Sequence, residues 1–288
     1  MDGAASAILF LAAGGLQKNM TFVAPDKVDD AIDSLSHDPG DLLFVDIAPH
    51  TEAAVLNLQR KGHFQVIDHH ASAVWLHGRD GFHIDKKNEA CGCENFRKWL
   101  GANGFPKFLG FPWRRFTTII DDHDRWKMQE PMSLQLPKLM SLVGQQGWIE
   151  RMSNVEQRFI GHHETYWTDS EAEMLKVVEE AQERKFKQIF EKFIPITRQF
   201  EGRPITIAYV ISGEMNCSEL LNRYLNLHPE VDLACQINLD IPKISLRSND
   251  KVDITKFVEK YGGGGHRNAG GHPLPDGLLR SIIEQIHG

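Results

Sequence analysis

Three things are scarce in this sequence: cysteine, surplus positive charge and long apolar runs. Cysteine occurs four times in 288 residues, as Cys91, Cys93, Cys217 and Cys235. Cys-x-Cys without a second Cys or His pair at zinc-finger spacing is weak evidence for zinc. Cys91 and Cys93 read instead as small buried residues at a helix start. So few thiols fit a reducing compartment and a cytoplasmic location. Lys and Arg number 32 against 39 Asp and Glu, a net charge of −7. A protein that coats long nucleic acid shows a basic face, so long duplex DNA is not an expected partner. A small phosphorylated substrate in a local basic pocket remains compatible, and bound divalent cations would offset some of the acid. The most apolar stretch, AASAILFLAA at 4–13, is too short to span a bilayer. Asp2 is the only early charge, so the positive flank of a secretory signal is missing. A buried helix is expected there, and no membrane association.

The first half alternates short apolar runs with helical patterns. Strands are expected at 20–24 (MTFVA), at 42–47 (LLFVDI) and at 64–67 (FQVI). Helices are expected at 27–35, where Val28, Ile32 and Leu35 share one face, and at 52–60. Strands alternating with helices imply a parallel sheet with crossover helices, and ligands of such sheets gather at the carboxyl ends of the strands. Asp46 and Asp68 stand at two such ends. Further on, TDSE at 168–171 has the form of a capping box. A long helix is expected to follow it to about Phe193, with Pro195 beyond its end. The apolar runs 205–211, 231–237 and 242–247 read as strands, with helical patterns between them and at 278–286. The expected class is therefore α/β. Its parts are an N-terminal parallel-sheet domain over 1–150, a helical connector over 151–195, and a smaller α/β domain over 196–288.

Asp68-His69-His70 directly follows an apolar strand. A carboxylate and two imidazoles at a strand end suit a hard divalent metal with mixed oxygen and nitrogen ligands, such as manganese; alone, the tripeptide also reads as a turn with solvated histidines. Residues 119–126 (IIDDHDRW) add Asp121, Asp122 and Asp124. Carboxylates buried together are costly unless paired or metal-bound, although a solvated acidic turn fits these three taken alone. Tyr261 to Gly271 (YGGGGHRNAGG) holds six glycines in eleven residues, which lets backbone N–H groups approach an anion closely. Gly264, Gly265, His266 and Arg267 are the candidate phosphate holders there. The loop lacks the Gly-Lys-Ser/Thr ending of the common nucleotide-binding loop. His162 and His163 read as surface histidines. Trp113-Arg114-Arg115 reads equally as a base-stacking platform or as a helix end packed on the core.

In chain order, Asp2-Gly3 followed by AASA, Asp46 after LLFV, IDHH at 67–70, DDHDRW at 121–126, SLRS at 245–248 and GGGGHRNAGG at 262–271 resemble the DHH phosphoesterases. The resemblance is to the oligoribonuclease and phosphohydrolase branch that carries a glycine-rich C-terminal domain, and it covers nearly the whole chain. It implies two Mn2+ ions, with Mg2+ as the other candidate, in a cleft between two domains. One ion would take Asp2, Asp46, His69 and Asp122, with Asp46 bridging to the second and Asp121 as the fallback for the fourth ligand. Asp68 would support the site and His70 would face the substrate phosphate. Arg247, Gly264, Gly265, His266 and Arg267 would hold the rest of the substrate. The implied reaction is two-metal hydrolysis of phosphodiester bonds in short oligonucleotides or dinucleotides. Hydrolysis of phosphoadenosine phosphate or polyphosphate is an alternative, and a homodimer is left open.

One departure stands out. The first motif of the family carries a His and an Asp ahead of its Asp-Gly, at the end of a first strand, and this chain begins Met1-Asp2-Gly3. Either Met1 corresponds to an internal residue of a longer protein, or one metal site has been lost and the protein is a catalytically weak nucleotide binder.

Overall fold

The computed structural model describes residues 1–36, 40–160, 166–213, 216–249, 251–275 and 277, with the backbone alone at 266. The chain divides into two compact units, Met1–Val178 and Glu179–Gly288. His162, His163 and the helical pattern at 278–286 lie outside the described residues.

In the first unit the helices are α1 (Asp2–Ala12), α2 (Val28–Ser34), α3 (Glu52–Lys61), α4 (Gly92–Ala102), α5 (Phe111–Asp124), α6 (Pro131–Met152) and α7 (Val155–Arg158). The strands are β1 (Leu42–Val45), β2 (Phe64–Asp68) and β3 (Phe82–Ile84), in the order β1-β2-β3 and parallel throughout. Successive strand residues point to opposite faces, and here each face is covered. Leu43, Val45 and Ile67 pack with Ile8 and Leu9 of α1, Phe96 of α4 and Phe116 of α5. Leu42, Phe44, Phe64 and Val66 pack with Ile32 of α2 and Val55 and Leu58 of α3. The result is a three-layer α/β unit, and it puts the carboxyl ends of β1 and β2 side by side. The apolar segment near the N-terminus is the buried helix α1, as its composition implies.

The segment 20–24 is not a strand. Met20 to Ala24 pairs with nothing in the sheet; Met20 and Val23 rest against the two cores while Phe22 is half exposed. Its β-prone side chains are placed by packing alone, which hydrophobic pattern does not distinguish from strand pairing.

The helix α8 (Asp169–Phe190) opens with the capping box that TDSE implies. The Glu171 N–H donates to Thr168 Oγ1 at 3.3 Å, and the Thr168 N–H donates to Glu171 Oε2 at 2.9 Å. Its Leu175 belongs to the first core, and its Phe186 and Ile189 to a core of the second unit.

Among its described residues the second unit has six strands: β4 (Ile194–Phe200), β5 (Arg203–Ile211), β6 (Leu233–Asn238), β7 (Lys243–Ser248), β8 (Gly264–His266) and β9 (Ala269–Pro273). Their order is β4-β5-β6-β7-β9-β8, antiparallel except for the β5–β6 pair. The helix α9 (Cys217–Leu227) covers one face through Leu220, Leu221 and Tyr224; the other buries Ile207, Leu233 and Leu246 with Val258 of the short helix α10 (Thr255–Val258). Pro195 lies beyond the end of α8, as expected, and falls within β4. β4 is an edge strand, the place in a sheet where proline is tolerated.

Candidate metal centre

Asp46 directly follows β1; its N–H donates to the Ile67 carbonyl at 2.9 Å and its φ is 63°. Asp is among the few non-glycine residues that tolerate this left-handed conformation. The turn swings its carboxylate toward the end of β2. There Asp68 accepts N–H bonds from His69 at 2.8 Å and His70 at 3.4 Å, and the Nδ1–H bond of His70 at 2.7 Å. One carboxylate thus shapes the turn and orients the ring of His70, which is 52% exposed and raised in pKa by that bond.

His69 turns inward and is 5% exposed. Its Nε2 lies 3.3 Å from Asp46 Oδ1, 3.5 Å from Asp124 Oδ2 and 3.7 Å from Asp2 Oδ2. Both Asp46 Oδ1 and His69 Nε2 are buried without a hydrogen-bond partner. Burial and the neighbouring Asp46 push the Asp2 carboxyl up to about 6. Asp124 is raised as well, by burial and by Asp2. Burial alone would lower His69, but Asp46, Asn88 and the charges of Asp124 and Asp2 lift it to about 9.

One nitrogen and three carboxylates around two orphaned buried atoms are a donor set that fits a hard divalent cation. Asp2, His69 and Asp124 form one such group, and Asp46, Asp68, His69 and His70 another. A pocket of about 120 Å³ opens beside them, lined among others by Asp46, Asp68, His70, His50 and Ser72.

Two helices help to hold this set. Asp2 accepts the N–H of Gly92 and that of Cys93 through its two oxygens, at 2.7 Å each. It thereby satisfies N–H groups that α4 cannot bond internally. Cys91 and Cys93 are fully buried, with Sγ atoms 3.5 Å apart, and burial pushes the Cys91 thiol up to about 11. Gly92 is the residue that lets α4 come so close. A Cβ there would lie 2.7 Å from Asp46 Cβ and 2.9 Å from Asp46 Cα. Gly92→Ala must therefore displace α4 or Asp46. Overpacking of this kind costs about 1–3 kcal/mol, to be read from the denaturation midpoint; a variant as stable as the parent would exclude the close approach.

The three aspartates of DDHD divide their work. Asp121 accepts the Cys91 N–H at 2.7 Å and pairs with Lys127. Asp122 accepts from the Gln129 and Glu130 N–H groups at 3.1 Å and from Ser133 Oγ at 2.5 Å, tying the chain between α5 and α6. Neither joins a metal-type group among the described residues; Asp124 does. The structure brings together Asp2, Asp46 and His69 and leaves Asp122 out. Gly92 and Asn88, whose Oδ1 lies 2.9 Å from His69 Nδ1, had no signal in sequence.

In the second unit, Arg247 donates to the Leu246 carbonyl at 2.7 Å and to Ser218 Oγ. Ladder register pairs it with Ala269, which is paired in turn with His266. The glycine motif is a hairpin rather than a free loop. A Cβ on Gly263 would meet the Gly271 carbonyl at 2.3 Å and one on Gly265 the Ala269 carbonyl at 2.4 Å, whereas Gly264 faces open space. Chain packing therefore accounts for Gly263 and Gly265 unaided. The Arg267 carbonyl accepts from the Ile254 N–H at 2.8 Å.

No family model matches the chain. It is 26% identical over 233 residues to the oligoribonuclease NrnB of Bacillus subtilis (strain 168), a match that covers 78% of this chain and 56% of that one. The chain thus spans little more than half the length of this relative. Among solved structures it is similar to the pGpG-specific phosphodiesterase PggH from Vibrio cholerae, with a TM-score of 0.57 and 14% identity, covering 99% of this chain and 94% of that one. The two share a fold. That fold carries the three-stranded parallel sheet and the strand ends on which Asp46, Asp68 and His69 stand. No helix among the described residues is long and apolar enough to cross a membrane.

Proposed function

We propose that the chain is a DHH-type phosphoesterase that hydrolyses phosphodiester bonds in short oligonucleotides or dinucleotides with the help of a divalent ion, Mn2+ before Mg2+. The observation that carries this reading is the convergence of His69 Nε2 with Asp2, Asp46 and Asp124 around two buried atoms that lack partners. Likeness to an oligoribonuclease supports the choice of substrate class.

In this reading Asp2, Asp46, His69 and Asp124 hold the ion, with Asp124 in the place that sequence assigned to Asp122. A bound divalent ion supplies Lewis-acid polarisation of the phosphoryl group and a nucleophilic water near neutral pH. Asp68 fixes the ring of His70 through Nδ1 at 2.7 Å, which leaves Nε2 to meet a phosphoryl oxygen. Arg247, Gly264, Gly265, His266 and Arg267 are the candidates for holding the rest of the substrate.

The test is hydrolysis of a labelled RNA dinucleotide by the purified chain, first with Mn2+ and then with chelator. Cleavage to mononucleotides that stops on chelation is expected. Cleavage that persists in chelator would sink the metal assignment. No cleavage of dinucleotides or of three- to five-residue oligonucleotides with Mn2+ would sink the substrate class.

A further inference from the structure

The ring of His69 has two nitrogens, and only one faces the carboxylates. Nδ1 faces Asn88, with Oδ1 2.9 Å away. A carbonyl oxygen only accepts, so this contact requires the proton to be on Nδ1. A neutral imidazole with its proton on Nδ1 presents the Nε2 lone pair, and Nε2 is the atom that meets Asp46, Asp124 and Asp2 at 3.3–3.7 Å. The reverse tautomer would aim an N–H at the place where a cation must sit.

Asn88 is not held there by chance contact. It follows β3 in a tight loop and has a φ of 52°, a conformation that Asn tolerates better than most residues. Its N–H donates to the Asp85 carbonyl at 3.0 Å. The Asp85 carboxylate accepts the N–H groups of Glu89 at 2.7 Å, Ala90 at 2.9 Å and Lys87 at 3.2 Å. The Asp85 N–H in turn donates to the Asp68 carbonyl at 2.9 Å. The loop is thus fastened to the residue that precedes His69, and Arg125 reaches the Glu89 carbonyl from the other side.

We infer that Asn88 is a positioning residue for metal binding: it fixes the tautomer and ring plane of His69 so that Nε2 serves as a ligand. This rests on the metal reading of the site given above. Partners of this kind behind a metal-bound histidine are worth about 10–100-fold in metal affinity.

The test uses two variants of the full chain that both keep the left-handed backbone, Asn88→Gly and Asn88→Asp. Mn2+ binding is measured by titration calorimetry, and the melting temperature is measured in chelator. Asn88→Gly is expected to bind Mn2+ about 10–100-fold more weakly, with a melting temperature in chelator close to that of the parent. Asn88→Asp keeps an acceptor opposite Nδ1 and is expected to restore affinity. Parent-like affinity in Asn88→Gly would overturn the assignment, as would an Asn88→Asp that binds as weakly as Asn88→Gly. A parent chain that binds no Mn2+ would overturn the metal reading itself, and this inference with it.

Discussion

His69→Ala is expected to lower Mn2+-dependent kcat/KM on a dinucleotide by about 10³-fold, roughly 4 kcal/mol of transition-state stabilisation. The substitution removes the nitrogen that lies within 3.7 Å of Asp2, Asp46 and Asp124 together, and with it the one nitrogen ligand of the proposed set. Asp46→Asn is expected to be similarly damaging but for a separable reason. Asn keeps the size of the side chain and tolerates the φ of 63° at this position; only the charge goes. Like charges held together disfavour ionisation and the folded state, and Asp46 is one of the groups that raise Asp2. In chelator, Asp46→Asn should therefore melt no lower than the parent while its activity collapses. Loss of function without loss of stability marks a site that trades one for the other. Activity within tenfold of the parent in either variant, measured with Mn2+ in excess, would sink the centre.

Arg158→Ala is expected to cost about 3–5 kcal/mol of unfolding free energy, the usual penalty for stranding one member of a buried ion pair. Glu171 is 1% exposed, and its carboxylate receives Arg158 Nη1 at 2.9 Å and Nη2 at 2.7 Å. Arg158 also donates to the carbonyls of Tyr166 and Arg151. Replacing Arg158 and Glu171 together by apolar residues of similar volume should recover part of the loss but not all. The missing part is the capping box, since Glu171 also accepts the Thr168 N–H, and a lost cap costs about 1 kcal/mol. Equilibrium denaturation of the parent, the single and the double variant checks this. A single variant within about 1 kcal/mol of the parent would show that the pair is no stronger than an exposed one.

Sequence discloses the first unit unevenly, and the pattern of success is physical. β1 and β2 are legible because each is an apolar run that stops at a carboxylate, so Asp46 and Asp68 can be placed at strand ends from the sequence itself. The capping box is legible because its partners are three residues apart. What escapes is whatever depends on the approach of distant segments. Gly92 owes its role to Asp46, 46 positions earlier, and Asn88 to His69, 19 positions earlier. Asp122 and Asp124 both lie on α5, and which of them approaches His69 depends on how Phe116, Ile119 and Ile120 pack, which the sequence does not show. The edge strand β4 was missed for a related reason: a proline reads as a stop, and only its place in the sheet shows that it lies on an edge strand, where proline is tolerated.

The left-handed turn at Asp46 bears on how this position can change over time. Gly, Asn and Asp occupy such a backbone at little cost, and most other side chains would strain the end of β1. Of the three, only Asp carries charge. A lineage that no longer needs the centre could drift at 46 to Gly or Asn with no penalty to the backbone, and relief from crowded carboxylates would favour the move. Of the side chains that suit this turn, aspartate is thus the one that could also hold a cation, which is the role proposed for it.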